Sequence, residues 1–194
     1  MNPDTTIVRI DEPINSATFQ CLLRFSPLDK QQRILRQRIK QNADAMVVGG
    51  ALARHMLWKA FHIPPDARIA YGEFGKPYLP NYPKAHFNIS HSGGYVACAV
   101  CDVPVGVDIQ EIIPFRPEIA ARVCSQTELG EIYASQNPEK QFVRIWVKKE
   151  CAIKLIGSSI GKEIKELQIP PNMQFWAHEF DNVVIGVCTA SLNA

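Results

Sequence analysis

Three residues have types and spacing that could do chemistry together: Asp108, Glu150 and Lys154. Asp108 stands in Val105-Gly106-Val107-Asp108-Ile109. A carboxylate in so apolar a run is costly to bury unless a cation, hydrogen-bond donors or water meet it. Further along, Trp146-Val147-Lys148-Lys149-Glu150-Cys151-Ala152-Ile153-Lys154 has helical spacing, which stacks Trp146, Glu150 and Lys154 along one face. Taken alone, Glu150 and Lys154 are an ordinary i, i+4 pair worth ~0.2–0.5 kcal/mol to a helix. Taken with Asp108 they suggest more. Two carboxylates on separate elements are what Mg²⁺ requires when phosphate oxygens and waters fill its other positions. Lysines beside them neutralise phosphate charge.

Two upstream segments extend the pattern. In Gly75-Lys76-Pro77, glycine permits close backbone approach and proline stiffens the loop, so Lys76 could meet a phosphate as a point charge. A solvated turn lysine fits the same residues. Ser90-His91-Ser92 precedes Gly93-Gly94 at a strand end, where two hydroxyls and an imidazole could bind an anion or simply build a turn. Ser90 and His91 do not form a protease pair, because neighbours on a strand point to opposite faces.

The elements that position these residues follow from periodicity. Ile7–Ile10 reads as a strand. Ser26-Pro27-Leu28-Asp29 starts a helix, with Ser26 as N-cap, that runs to about Lys40. Residues 43–61 form a second helix, apolar almost all round, which Pro64-Pro65 stops. Short strands are expected at 68–71, 85–90, 95–101 and 105–109, the middle two joined as a hairpin by Gly93-Gly94. Pro114 and Pro117 break the following segment, and Ser125 caps a helix. The helix with Glu150 runs from about Glu139 to Ile156, buries Phe142, Ile145, Ile153 and Ile156, and ends at Gly157. Strands at 164–169, 175–180 and 183–190 complete the chain.

The two halves follow one script. Phe25-Ser26-Pro27-Leu28-Asp29 corresponds to Cys124-Ser125-Gln126-Thr127-Glu128. Each stretch leads into a helix, a long partly buried helix, a short strand and a strand pair. The expectation is an α+β pseudo-dimer, with lobes at 1–103 and 104–194, a long helix on a small antiparallel sheet in each, and a cleft at the seam.

Composition limits the alternatives. At 194 residues, 46% hydrophobic and 21% charged, the chain is ordinary globular protein. A net charge of +2 gives no bulk electrostatic case for nucleic acid or membrane. The first residues lack the features of a signal peptide, and a cytoplasmic protein is expected. Cys21, Cys98, Cys101, Cys124, Cys151 and Cys188 are scattered and read as reduced thiols, mostly in the core. Cys98 and Cys101 match C-x-x-C, but no second pair completes a zinc site.

Gly75-Lys76-Pro77, Phe87-Asn88-Ile89-Ser90-His91-Ser92, Val105–Ile109 and Trp146–Lys154, in this order, resemble the 4′-phosphopantetheinyl transferases, specifically the larger two-lobed type that activates peptide synthetases. The Ser26-Pro27 helix start and the helix around Arg54 fit as well. The resemblance implies Mg²⁺-dependent transfer of the phosphopantetheine arm of coenzyme A to a serine of an apo acyl, peptidyl or polyketide carrier protein, releasing 3′,5′-ADP. It implies that Asp108 and Glu150 are metal ligands, joined by Gln110 through a water, with Mn²⁺ as a substitute ion. Glu150 also matches a proposed general base, and Lys154 a phosphate contact that assists the leaving group. Lys149 would support the site from a neighbouring face. Lys76 and Pro77 would frame the nucleotide, Ser90 and His91 its phosphates, and Lys30 and Arg33 the 3′-phosphate. Two departures stand out: Gln110 replaces a second acid that follows the Asp in many relatives, and Ala45 stands near a phosphate-binding Arg of some. Ile112–Arg116 with Arg122 offers apolar and basic side chains to an acidic carrier helix. A monomer is expected, with neither nucleic acid nor membrane as partner. Other readings are a non-catalytic module binding coenzyme A or a carrier, and a metal-dependent phosphohydrolase.

Overall fold

The computed structural model describes residues 2–158 and 162–190. The chain begins with strand β1 (Asp4–Arg9) and helix α1 (Ser16–Leu23), which Asn15 caps by accepting from the Thr18 amide at 2.9 Å. Helix α2 covers Leu28–Leu35 and α3 Lys40–Phe61. A two-residue pair, β2 (Ala70–Tyr71) and β3 (Pro77–Tyr78), comes next. Then β4 (His86–Ser92) turns at Gly93-Gly94, both at positive φ, into β5 (Tyr95–Cys101).

The second half starts with β6 (Val105–Glu111) and α4 (Pro117–Val123). Helix α5 (Gln126–Ala134) opens on a full capping box. The Ser125 hydroxyl accepts from the Glu128 amide at 3.2 Å, and the Glu128 carboxylate accepts from the Ser125 amide at 2.7 Å. Helix α6 (Pro138–Ile156) has Pro138 in its first turn, where a missing N–H costs nothing, and Gly157 at φ 74° closes it. A 3₁₀ turn (Lys162–Glu166) leads to β7 (Met173–Phe180) and β8 (Val183–Ala190).

Two three-stranded antiparallel sheets result, in the orders β1-β5-β4 and β6-β8-β7. Helix α3 covers the first, packing Ala53, Met56 and Leu57 on Phe87, Cys98 and Val100. Helix α6 covers the second through Val147, Cys151 and Leu155 against Val184 and Cys188. A third cluster joins the sheets: Tyr95, Ala97 and Ala99 with Val107, Ile109, Val183 and Ile185. This explains why β5 is buried along its whole length, with no polar face. Each buried Val or Ile contributes about 1.5–3 kcal/mol. Polar links cross from β4 to β6: Asn88 accepts from the Val107 amide and Ser92 from the Glu111 amide, both at 3.2 Å.

The structure corrects several expectations. Pro27, not Ser26, occupies the N-cap of α2; Ser26 is buried, its hydroxyl close against Gly50 of α3. Helix α2 stops at Leu35 rather than near Lys40. No strand runs through 164–169: the Lys149 ammonium takes the carbonyls of Ile164 and Lys165, and the chain winds into the 3₁₀ turn. Ile156 is exposed and leaves the buried stripe of α6 at Ile153. Helices α1 and α4 and strand β3 were not expected. Among the described residues, no helix is long and apolar enough to cross a membrane.

Candidate active site

Strand alternation decides where Asp108 points. Val107 and Ile109 enter the core between the sheets, so Gly106, Asp108 and Gln110 face the other way, toward α6. A Cβ on Gly106 would lie 2.2 Å from the Cys151 carbonyl oxygen and 2.8 Å from the Leu155 nitrogen. Gly186, which pairs with Asp108 across the sheet, would put a Cβ 2.5 Å from Val147. Two glycines therefore let α6 lie against the strands. That approach brings Lys154 Nζ to 2.6 Å from Asp108 Oδ1. Ser90 of β4 donates to the same oxygen at 2.7 Å and accepts from Lys154 at 2.8 Å, closing a triangle. Asp108 Oδ2 is buried, with no hydrogen-bond partner among the described residues.

Glu150, one turn before Lys154, shares this pocket. Its carboxyl is held above the ordinary carboxylate range, first by burial and then by the negative charge of Asp108, with Lys154 opposing. Asp108, Gln110, Trp146, Glu150, Lys154, Ser90 and His91 line a cavity of about 290 Å³. The His91 imidazole is pushed below its usual value, chiefly by desolvation where its ring meets the cleft and then by Lys154.

A larger cavity of about 490 Å³ adjoins it and shares Ile89, His91 and Lys154. Helices α2 and α3, the β2–β3 loop and β4 form its walls. Lys30, Arg33, Lys76 and Lys154 are among the described lining residues, and no Asp or Glu is. Such a chamber favours an anion. Lys30 rests its ammonium 4.0 Å over the Tyr71 ring, and its pKa is lowered by burial first and by Arg33 next.

The structure thus gathers Asp108, Glu150, Gln110, Lys154, Ser90 and His91 in one pocket, and Lys30, Arg33, Lys76 and Pro77 in the adjoining one. Ala45 lines the larger cavity, where it offers no charge. Lys149 does not reach the site: its ammonium sits 2.7 Å from Glu128 and 2.8 Å from the Val123 carbonyl, tying α6 to α4 and α5. In the 112–116 segment, Phe115 packs edge-on against Tyr133 and Phe142, while Ile113 and Arg116 are exposed. Sequence reasoning missed Ser26, Tyr71, Phe74 and Asn88 as site residues. Asn88 carried a usable signal, since it alternates with Ser90 and Ser92 on β4.

In a mixed helix-and-sheet protein, a chamber lined by Lys and Arg, with no Asp or Glu among its described lining residues, thus opens onto a pocket that holds two carboxylates. Comparison with known proteins gives this a family. Residues 12–102 match the family model described as 4′-phosphopantetheinyl transferase, N-terminal, and residues 104–182 that of the 4′-phosphopantetheinyl transferase superfamily. A 4′-phosphopantetheinyl transferase of Bacillus subtilis is 33% identical over 167 residues, covering 84% of this chain and 74% of the relative. One of Bacillus pumilus is 36% identical over 140 residues, 71% of this chain and 60% of its own length. The mouse L-aminoadipate-semialdehyde dehydrogenase-phosphopantetheinyl transferase is 32% identical over 165 residues, 75% and 53% of the two chains. The chain belongs to the 4′-phosphopantetheinyl transferase family.

Proposed function

We propose that this protein transfers the 4′-phosphopantetheine arm of coenzyme A to a serine of an apo acyl, peptidyl or polyketide carrier protein, with Mg²⁺ and with release of 3′,5′-ADP. One observation carries the reading: Lys154 stands where the anion chamber meets the acid pocket. A pyrophosphate laid across that junction puts its nucleotide in the chamber, near Lys30, Arg33, Lys76 and Pro77, and its scissile bond beside the carboxylates. Ser90 and His91 flank its phosphates.

The residues present fit a divalent ion. Asp108 keeps one buried carboxylate oxygen without a partner among the described residues, and Glu150 is a second carboxylate that Asp108 repels. A cation answers both. Mg²⁺ takes few protein ligands and keeps waters, so two carboxylates suffice to hold it. Asp108 and Glu150 would hold it, with Gln110 orienting a water, and it would supply charge stabilisation at the pyrophosphate.

The chain's own groups do the rest. The carrier serine oxygen bonds to the phosphorus of the phosphopantetheine arm as the anhydride bond to 3′,5′-ADP breaks. Glu150, with its raised proton affinity, takes the serine proton directly or across a water. Lys154 balances the charge that develops on the departing phosphate. The exposed Ile113, Arg116 and Arg122 offer an acidic carrier helix an apolar and basic surface.

We also read residues 1–103 and 104–194 as two lobes of an internal duplication, forming one cytoplasmic monomer. The shared strand orders β1-β5-β4 and β6-β8-β7, each with three helices between its first strand and its hairpin, support this reading. The site then lies at the lobe seam.

Incubation with coenzyme A, Mg²⁺ and a panel of apo carriers is expected to add one phosphopantetheine mass to at least one carrier. Coenzyme A binding without any mass shift across fatty-acid, polyketide and peptidyl carriers would favour a non-catalytic binding module, which Gln110 in place of an acid motivates. At that position, Gln110→Glu adds a charged ligand. The Mg²⁺ concentration giving half-maximal rate is expected to fall on the order of fivefold. An unchanged titration removes residue 110 from the ion.

A further inference from the structure

We propose that Lys76 is a positioning residue: its ammonium ties the C-terminal end of α6 to the start of β6, and so sets Lys154 against Asp108. Lys76 Nζ donates to the Leu155 carbonyl at 2.5 Å and approaches the Val105 carbonyl at 3.4 Å. Leu155 directly follows Lys154, and Val105 opens the strand that carries Asp108. One cation therefore grips both elements of the acid pocket from a third segment.

Helix ends explain why the grip is available. The last carbonyls of a helix lack intrahelical partners, and a cation there is favoured by the helix dipole. The Gly157 and Ser158 amides both return to the Ile153 carbonyl, which leaves the Leu155 oxygen for Lys76. Gly157 gives the room: a Cβ there would lie 3.1 Å from Lys76 Cδ. The lysine is itself held in a defined turn, where the Gly72 amide donates to the Lys76 carbonyl and the Gly75 amide to the Gly72 carbonyl, each at 2.9 Å. A lysine reserved for the ligand would point a free ammonium into the chamber; this one is spent on backbone oxygens.

Burial lowers the Lys76 pKa to about 8, with Cys188 of β8 opposing. His86 of β4 feels its charge, and Lys154 of α6 is the neighbouring cation. The grip is thus full only well below pH 8, is half lost near it and weakens further above, as the ammonium loses its proton.

The inference rests on the transferase reading, and its test separates the two. In Lys76→Met, kcat is expected to fall on the order of 10²-fold, the cost of a small misplacement of catalytic groups. The calorimetric Kd for coenzyme A weakens by much less than kcat falls, since Lys30, Arg33 and Lys154 keep the chamber cationic. Amide exchange across 150–158 becomes faster. The wild-type decline in kcat above pH 8 is absent from Lys76→Met, and in Lys76→Arg, which keeps a cation at the carbonyls, kcat recovers most of its value without that decline. A variant Lys76→Met with wild-type kcat, with unchanged exchange at 150–158, or with its loss confined to coenzyme A affinity overturns the proposal. So does a Lys76→Arg as impaired as Lys76→Met. If the wild type modifies no carrier, the transferase reading fails, while the exchange experiment still decides whether Lys76 holds α6.

Discussion

Asp108→Asn and Glu150→Gln each lower kcat/KM for carrier modification on the order of 10³-fold, the scale of losing a preorganised electrostatic contact to the transition state. Coenzyme A affinity changes little, because the cationic chamber is untouched. The two variants differ in stability. Glu150 has a carboxyl pKa raised above its unfolded value. Such a group binds its proton more tightly in the native state, so its stabilising contribution is present at low pH. That contribution is lost as pH rises from the unfolded value through the folded one. Ionising Glu150 therefore works against the fold, and Glu150→Gln raises Tm more at the higher pH while transfer falls. Asp108→Asn instead removes the partner of Lys154. The Lys154 side chain is 26% exposed and keeps Ser90 at 2.8 Å, so its ammonium can draw on water and the drop in Tm is modest. Steady-state kinetics, calorimetry with coenzyme A and thermal melts at pH 5 and 7 check these outcomes. Turnover retained in both variants would remove the pair from the reaction, and an unchanged Tm for Glu150→Gln would show that neither burial nor Asp108 burdens the Glu150 carboxylate.

How far such a site can be read from sequence depends on which scale sets each distance. Glu150 and Lys154 share a face because a helix repeats every 3.6 residues. Asp108 turns away from the core because Val107 and Ile109 turn into it. Both facts are local, so both were legible. The meeting of Asp108 with Lys154 depends on how closely α6 crosses β6, which Gly106 and Gly186 set through tertiary contact. Nothing in either segment alone gives that approach. The lysines teach the same lesson. Lys76, Lys149 and Lys154 are alike in sequence, yet one caps a helix end, one ties Glu128 and the carbonyls of α4 and the 3₁₀ turn to α6, and one pairs with Asp108 in the pocket. Proline was misleading in a different way. Pro114 and Pro117 read as breaks, but Pro117 sits in the first turn of α4, where proline is accommodated. The expected strand at 164–169 failed because Ile164 and Lys165 spend their carbonyls on Lys149, a partner fifteen and sixteen residues away that periodicity cannot see.

Gly106→Ala is the sharpest test of this dependence, and it is expected to lose both stability and transfer. The added Cβ would lie 2.2 Å from the Cys151 oxygen and 2.8 Å from the Leu155 nitrogen. Both atoms belong to helix backbone, so no side chain can turn aside to make room. Ordinary contact returns only if α6 moves off β6 by roughly 1 Å or more. Overpacking of this kind costs about 1–3 kcal/mol. The displaced helix also withdraws Glu150 and Lys154 from Asp108, for which a further loss on the order of 10²-fold in kcat is expected. Gly130 provides the contrast. It lies inside α5, and a Cβ there meets nothing within 4 Å among the described residues. Gly130→Ala should stabilise the chain by roughly 0.5–1 kcal/mol through helix propensity and leave transfer unchanged. Thermal melts and carrier-modification rates for the two variants decide the matter. If Gly106→Ala turned over at the wild-type rate, the approach of α6 to β6 would not be what assembles the site, and the acid pair would have to be positioned from elsewhere in the fold.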